Sequence, residues 1–224
     1  MPEADWLNDT DRVFQAALKD RHQGQPGLVI LRGPNVARDV TRFLHHEPDF
    51  EKAVTVGVNH AAFYWLADYA VVIDPPVFHG SPPAGFPEIC YVLPDMPAFR
   101  RLRLDYSGPR MYFWHEPAEL PPGLQRYNRD WPRPWGHGSY TSLVALWLAW
   151  YMGCSPIAAC GADFALGADG LVHGDSQEYP TEEVRRHYRE SLPGNREKWQ
   201  LLVNAIRESG VPVVWPGEDL THAE

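Results

Sequence analysis

Residues 27–46 read Gly27-Leu28-Val29-Ile30-Leu31-Arg32-Gly33-Pro34-Asn35, then Val36-Ala37-Arg38-Asp39-Val40-Thr41-Arg42-Phe43-Leu44-His45-His46. The first five are an uninterrupted apolar run, the pattern of a strand covered on both faces. From Val36 the apolar positions return at helical spacing. Strand, tight Gly-Pro turn and helix in that order form the opening unit of an α/β sheet.

The same alternation continues outward. Upstream, Val13, Phe14, Ala17 and Leu18 follow the cap-like Asp9-Thr10-Asp11, which predicts a helix near residues 10–22 that ends at Gly24–Gly27. Downstream, residues 53–57 make a second buried strand, residues 60–66 a short helix, and residues 69–73 a third strand that stops at Asp74-Pro75-Pro76. Residues 88–93 and 110–114 read as further strands, followed by a helix over 139–152 and a strand over 156–160. Helical sequence from 181 to 209, broken at Pro193-Gly194, precedes a last strand over 211–215. The fold expected is α/β: a mostly parallel, Rossmann-like sheet with helices on both faces. A Pro- and Trp-rich stretch over 114–138 has no hydrophobic period and reads as a lid or binding loop, or else as an element whose pattern is hidden.

Composition fits one such domain over residues 1–224. With 224 residues, 44% of them hydrophobic, the chain buries a sizeable core, which excludes disorder and disulfide-stapled miniature scaffolds. Its 20 Lys+Arg against 29 Asp+Glu give a formal charge of −9, so nucleic acid and anionic lipid surfaces repel it at long range. The longest apolar run, Ser142 to Met152, falls short of the roughly 20 residues that cross a bilayer. The acidic Met1-Pro2-Glu3-Ala4-Asp5 start lacks a signal-peptide pattern, and the expected location is cytoplasmic. Cys90, Cys154 and Cys160 have neither CxxC spacing nor an even count, and read as buried thiols.

In open α/β sheets ligands bind beyond the carboxyl ends of the strands, so the residues just after each strand are the candidates. Arg32-Gly33-Pro34-Asn35 places a glycine, which admits close backbone approach, before a helix N-terminus that offers N–H groups to phosphate. It matches neither GxxxxGK[ST] nor GxGxxG, and an ordinary strand-to-helix turn is the plain alternative. Asn59 offers a donor and an acceptor to a base or ribose, or else caps a helix. Asp74 suits a ribose hydroxyl or a metal-bridged phosphate, or a turn before Pro75. Ser139 and Thr141 open the most apolar helix, where they either cap it or set its N–H groups against phosphate. Gly161 and Asp163 end the strand before it loops to His173-Gly174-Asp175. His173, on a glycine-flanked loop, has the chemistry of a general base, while His187 in the charged stretch 182–190 reads as solvated surface.

Taken as an ordered set, Leu28 to Asn35, Thr55 to Asn59, Val71 to Asp74, Gly138-Ser139 with its apolar helix, and Gly153 to Phe164 resemble one known superfamily. It joins the bacterial lipooligosaccharide sialyltransferases with proteins similar to archaeal-type 6-hydroxymethylpterin pyrophosphokinase. The resemblance runs over about residues 27–220 and includes Val213 to Leu220 as a closing strand and turn. It implies a nucleotide pocket lined by Gly33, Pro34, Asn35 and Asn59, phosphate near Ser139 and Thr141, and His173 as the loop histidine. The sialyltransferases carry Asn-Gly-Pro-Ser where this chain has Arg32-Gly33-Pro34-Asn35.

The leading expectation is a nucleotide-sugar-dependent glycosyltransferase, sialyltransferase-like, that needs no metal. His173 takes the proton of an acceptor hydroxyl while Arg32 and helix N–H groups hold the departing phosphate. Its partners are a nucleotide or nucleotide sugar and a small-molecule or glycan acceptor, and a homo-oligomer is compatible with it. A second reading is pyrophosphoryl transfer from ATP to a small heterocyclic alcohol such as a pterin, with Mg²⁺ bridging phosphates to Asp74 or Asp163. A third is a non-catalytic binding or assembly module on the same fold.

Overall fold

A computed structural model describes residues 17–72, 90–94, 111–114, 141–167 and 181–216. Among the described residues, seven strands form one sheet: β1 (Gly27–Ile30), β2 (Val54–Val58), β3 (Tyr69–Val71), β4 (Cys90–Pro94), β5 (Met111–Trp114), β6 (Ile157–Cys160) and β7 (Val213–Val214). Their order is β5-β4-β3-β2-β1-β6-β7, and every neighbouring pair is parallel. The Rossmann-like α/β architecture expected from the alternating pattern is therefore present.

The apolar run of β1 has two destinations, because successive side chains leave opposite faces of a strand. Leu28 and Ile30 pack with Ala158 and Cys160 of β6 beneath α1 (Val36–His46), where Val36, Val40 and Phe43 close the layer. Val29 and Leu31 point the other way, into the larger cluster with Val56, Val71 and Ile157. Over that face lie α3 (Thr141–Tyr151) and α4 (Glu182–Glu208). A short α2 (His60–Tyr64) follows β2 and sends Ala61 to the α1 side.

Helix α3 is buried on all sides from Leu143 to Tyr151, as expected of an apolar helix between a sheet and a second helix. Trp147 stacks on Tyr151 with ring centroids 4.7 Å apart. Among the described residues no helix is long and apolar enough to cross a membrane.

Several boundaries differ from the sequence reading. The first helix reaches only Leu18 before turns take over, and its residues 10–16 lie outside the described part. The larger difference is in α4, which runs unbroken through Pro193 for 27 residues. Proline removes one backbone donor and crowds the carbonyl four residues earlier, yet tertiary packing of Trp199, Leu202, Val203 and Ile206 holds the C-terminal half in register. Glu182, paired with Arg185 and Arg189, braces the other half.

Because Pro193 is exposed, replacing it removes no packing while restoring the missing backbone donor. Pro193→Ala is expected to stabilise the fold by about 1–2 kcal/mol in denaturant titration, after the entropy that alanine returns to the unfolded chain. A lower midpoint for the variant would show that the helix is not continuous there.

Candidate functional site

The connections leaving β1 and β6 depart to opposite faces of the sheet: β1 feeds α1 on one side, and β6 leads to α4 on the other. Between two such strands a crevice opens at the carboxyl edge, the place where ligands bind in open α/β sheets.

The two turns at this edge are fastened to each other residue by residue. The Leu31 N–H donates to the Cys160 carbonyl at 2.9 Å and the Gly33 N–H to the Gly161 carbonyl at 3.0 Å. Asn35 then donates twice to Asp163, from its backbone N–H to Oδ2 at 2.9 Å and from Nδ2 to Oδ1 at 2.7 Å. Glycine is required at position 33, because a Cβ there would overlap the Gly161 carbonyl and the Asp163 carboxylate. Gly161 has φ +65°, and a Cβ on it would come within 2.9 Å of Val36 Cβ.

Below this zipper lies Asp39 of α1, only 2% exposed. Its Oδ2 accepts the Gly161 N–H at 3.1 Å, and its Oδ1 accepts Arg38 Nε and Nη2 at 3.2 and 3.1 Å. A buried carboxylate is tolerated only when so satisfied. Burial, reinforced by the negative charge of Asp39, pushes the Cys160 thiol far above its usual range, so it stays protonated and inert. All three cysteines are buried and none is in a disulfide, as read from their spacing.

Above the zipper is a cleft of about 280 Å³. Arg32, Gly33 and Gly161 form one side of it, and Val58 and Asn59 at the end of β2 form the next. Thr141 and Ser142, in the first turn of α3, bring a helix N-terminus to the cleft, where N–H groups and the helix dipole favour an anion. A cation and a helix N-terminus thus converge in one pocket of an acidic chain.

Asn59 has a strained backbone. At φ +47°, ψ −128° it occupies a region that suits glycine, while its N–H donates to the Val71 carbonyl at 3.0 Å. It stands at the N-cap of α2, yet its side chain makes no capping hydrogen bond. Gly57, two residues before it, lies so close to Ala62 that a Cβ would reach Ala62 N at 2.8 Å. The strand end is therefore pressed against α2, and the chain turns sharply at Asn59.

The structure brings Arg32, Gly33, Asn59, Thr141 and Gly161 to the cleft wall. Pro34 sits half-buried in the β1 turn, and Asn35 and Asp163 engage each other beside the cleft. Asp74, Ser139, His173 and the 114–138 segment, apart from Trp114 at the end of β5, lie outside the described residues. His187 is exposed on α4, with its ring against Tyr188.

The sequence reading misses the fourth wall. Phe164 and Ala165 after β6, and Tyr188, Leu192 and Asn195 on α4, complete the cleft. The α4 residues recur at i, i+4 and i+7, and the same face continues to the buried Trp199. That periodicity is visible in the sequence, but an assumed break at Pro193-Gly194 divides it.

No protein-family model and no curated protein matches the sequence. Among solved structures the chain is similar to the MAf glycosyltransferase from Magnetospirillum magneticum AMB-1, with 15% identity and a TM-score of 0.40. The match covers 74% of this chain and 29% of that one, so the chain spans less than a third of the length of that protein.

The strain at Asn59 has a measurable consequence. Asn59→Gly relieves a backbone penalty of about 1–3 kcal/mol that Asn59→Ala retains. The glycine variant is expected to be more stable than the alanine variant by at least about 1 kcal/mol in denaturant titration. Equal stabilities would mean that the turn relaxes and that no strain is stored there.

Proposed function

We propose that the chain is a nucleotide-sugar-dependent glycosyltransferase whose donor phosphate sits between Arg32 and the N-terminus of α3. The observation that carries this reading is the convergence of Arg32, Gly33, Asn59, Thr141 and Gly161, from four separate segments, on one cleft at the switch point of the sheet. The superfamily resemblance of residues 27–220 supplies the reaction class.

In this scheme the acceptor oxygen bonds to the anomeric carbon as the bond from that carbon to the phosphate oxygen breaks. The phosphate leaves with the electron pair, and Arg32 with the α3 N–H groups stabilises the charge it gains. Asn59 holds the ribose or base by a donor and an acceptor. His173 takes the hydroxyl proton, which requires its neutral imidazole.

Titrating nucleotides and nucleotide sugars into the protein by calorimetry tests the binding half of the proposal. Arg32→Gln should weaken the tightest of them by about 1.5–3 kcal/mol, roughly 10–150-fold, because a charge-assisted contact to phosphate is lost. Unchanged affinity removes Arg32 from the phosphate site. The catalytic half rests on His173→Ala, expected to lower transfer by roughly 10²–10⁴-fold while nucleotide affinity stays within about twofold. Full turnover in that variant would assign the base elsewhere.

A further inference from the structure

The cleft is chemically two-sided. Its charged side holds Arg32 and the α3 N-terminus, and the wall supplied by Phe164 and α4 is aromatic and aliphatic with a single amide, Asn195. Phe164 is held firmly in that wall: its backbone takes φ +48°, and its ring packs against Trp199 and Trp215 with centroids 5.5 and 6.1 Å away. Trp215 is fixed in turn by donating from Nε1 to the Ala162 carbonyl at 2.6 Å.

Asn195 Oδ1 is buried and has no hydrogen-bond partner among the described residues. Trp199 Nε1, one turn further along the same helix face, is also buried without a partner there, so the two do not satisfy each other. A buried acceptor left unpaired is destabilising, and Asn195 is a residue of the cleft wall, so a ligand seated against that wall can bring an N–H to it. The neighbours Phe164, Tyr188 and Leu192 supply two aromatic rings and an aliphatic side chain, which suit a flat, uncharged ring and bring no positive charge to an anion.

We propose that the α4 wall is the nucleobase subsite and that Asn195 is its specificity-determining residue, with Oδ1 accepting a hydrogen bond from an amino group on the base. This rests on the nucleotide-binding reading and adds an orientation: phosphate toward Arg32, base toward α4. A base with a carbonyl in place of the amine sets two acceptors against each other, so the site rejects it.

The test measures dissociation constants for two matched pairs, CMP against UMP and AMP against inosine monophosphate, which exchange an amine for a carbonyl at nearly constant size. Wild-type protein is expected to prefer the amine in at least one pair by about 10-fold or more, and Asn195→Leu should reduce that ratio to within about twofold. The ratio is the readout because a general loosening of the cleft lowers both affinities together and leaves it unmoved. Asn195→Ser, a smaller change read the same way, serves if the leucine variant does not fold. Wild-type binding without an amine preference, or a preference that survives in the variants, overturns the role of Asn195 and leaves nucleotide binding standing. If none of the four nucleotides binds wild-type protein, the nucleotide reading and this inference fall together.

Discussion

Asn35 and Asp163 lie 128 positions apart in the chain and hold each other by two hydrogen bonds at 2.9 and 2.7 Å. Around this pair the ends of β1 and β6 are drawn so close that neither Gly33 nor Gly161 has room for a side chain. The cleft depends on that closeness. Arg32 enters from the first turn and Phe164 follows the second, and neither faces the pocket unless the two turns travel together. Asp39 locks the arrangement from below through the Gly161 N–H, so two buried carboxylates, Asp39 and Asp163, with the half-buried Asn35 set the geometry of the whole edge. Breaking either leaves buried donors unpaired, which costs far more than the bonds contribute net.

Charge is then distributed by the fold and not by the overall composition. A chain of formal charge −9 repels polyanions at a distance, yet its sheet edge concentrates a guanidinium and a helix N-terminus in a cleft of about 280 Å³. On the proposed reading such a site takes a small anion that enters a pocket over a large one that lies on a surface. The strained turn at Asn59 fits the same picture, because backbone strain persists where the surrounding packing enforces it and clusters at working sites.

Much of this is legible in the sequence for identifiable reasons. The five-residue apolar run of β1 signals a strand covered on both faces, and the sheet supplies both covers, α1 on one side and α3 with α4 on the other. The rule that ligands collect beyond strand ends leads directly to Arg32, Gly33, Asn59 and Gly161. Asn35 and Asp163 have the same polar character as those residues, and nothing local shows that they satisfy each other, because the pairing depends on which strands become neighbours. The α4 wall is hidden by Pro193, read locally as a helix break although buried Trp199 and Leu202 carry the helix past it. Trp199 anchors the same face that carries Asn195, so the missed helix is also the missed fourth wall of the cleft.

The account stands on the claim that a nucleotide occupies the carboxyl edge between β1 and β6. Amide hydrogen exchange, measured with and without a saturating nucleotide or nucleotide sugar, addresses that claim at the resolution of single segments. Slowed exchange is predicted at Arg32 and Gly33, at Asn59, in the first turn of α3 and at Gly161, with the amino ends of the same strands unchanged. Protection confined to any other surface, or none at a saturating ligand concentration, would contradict it.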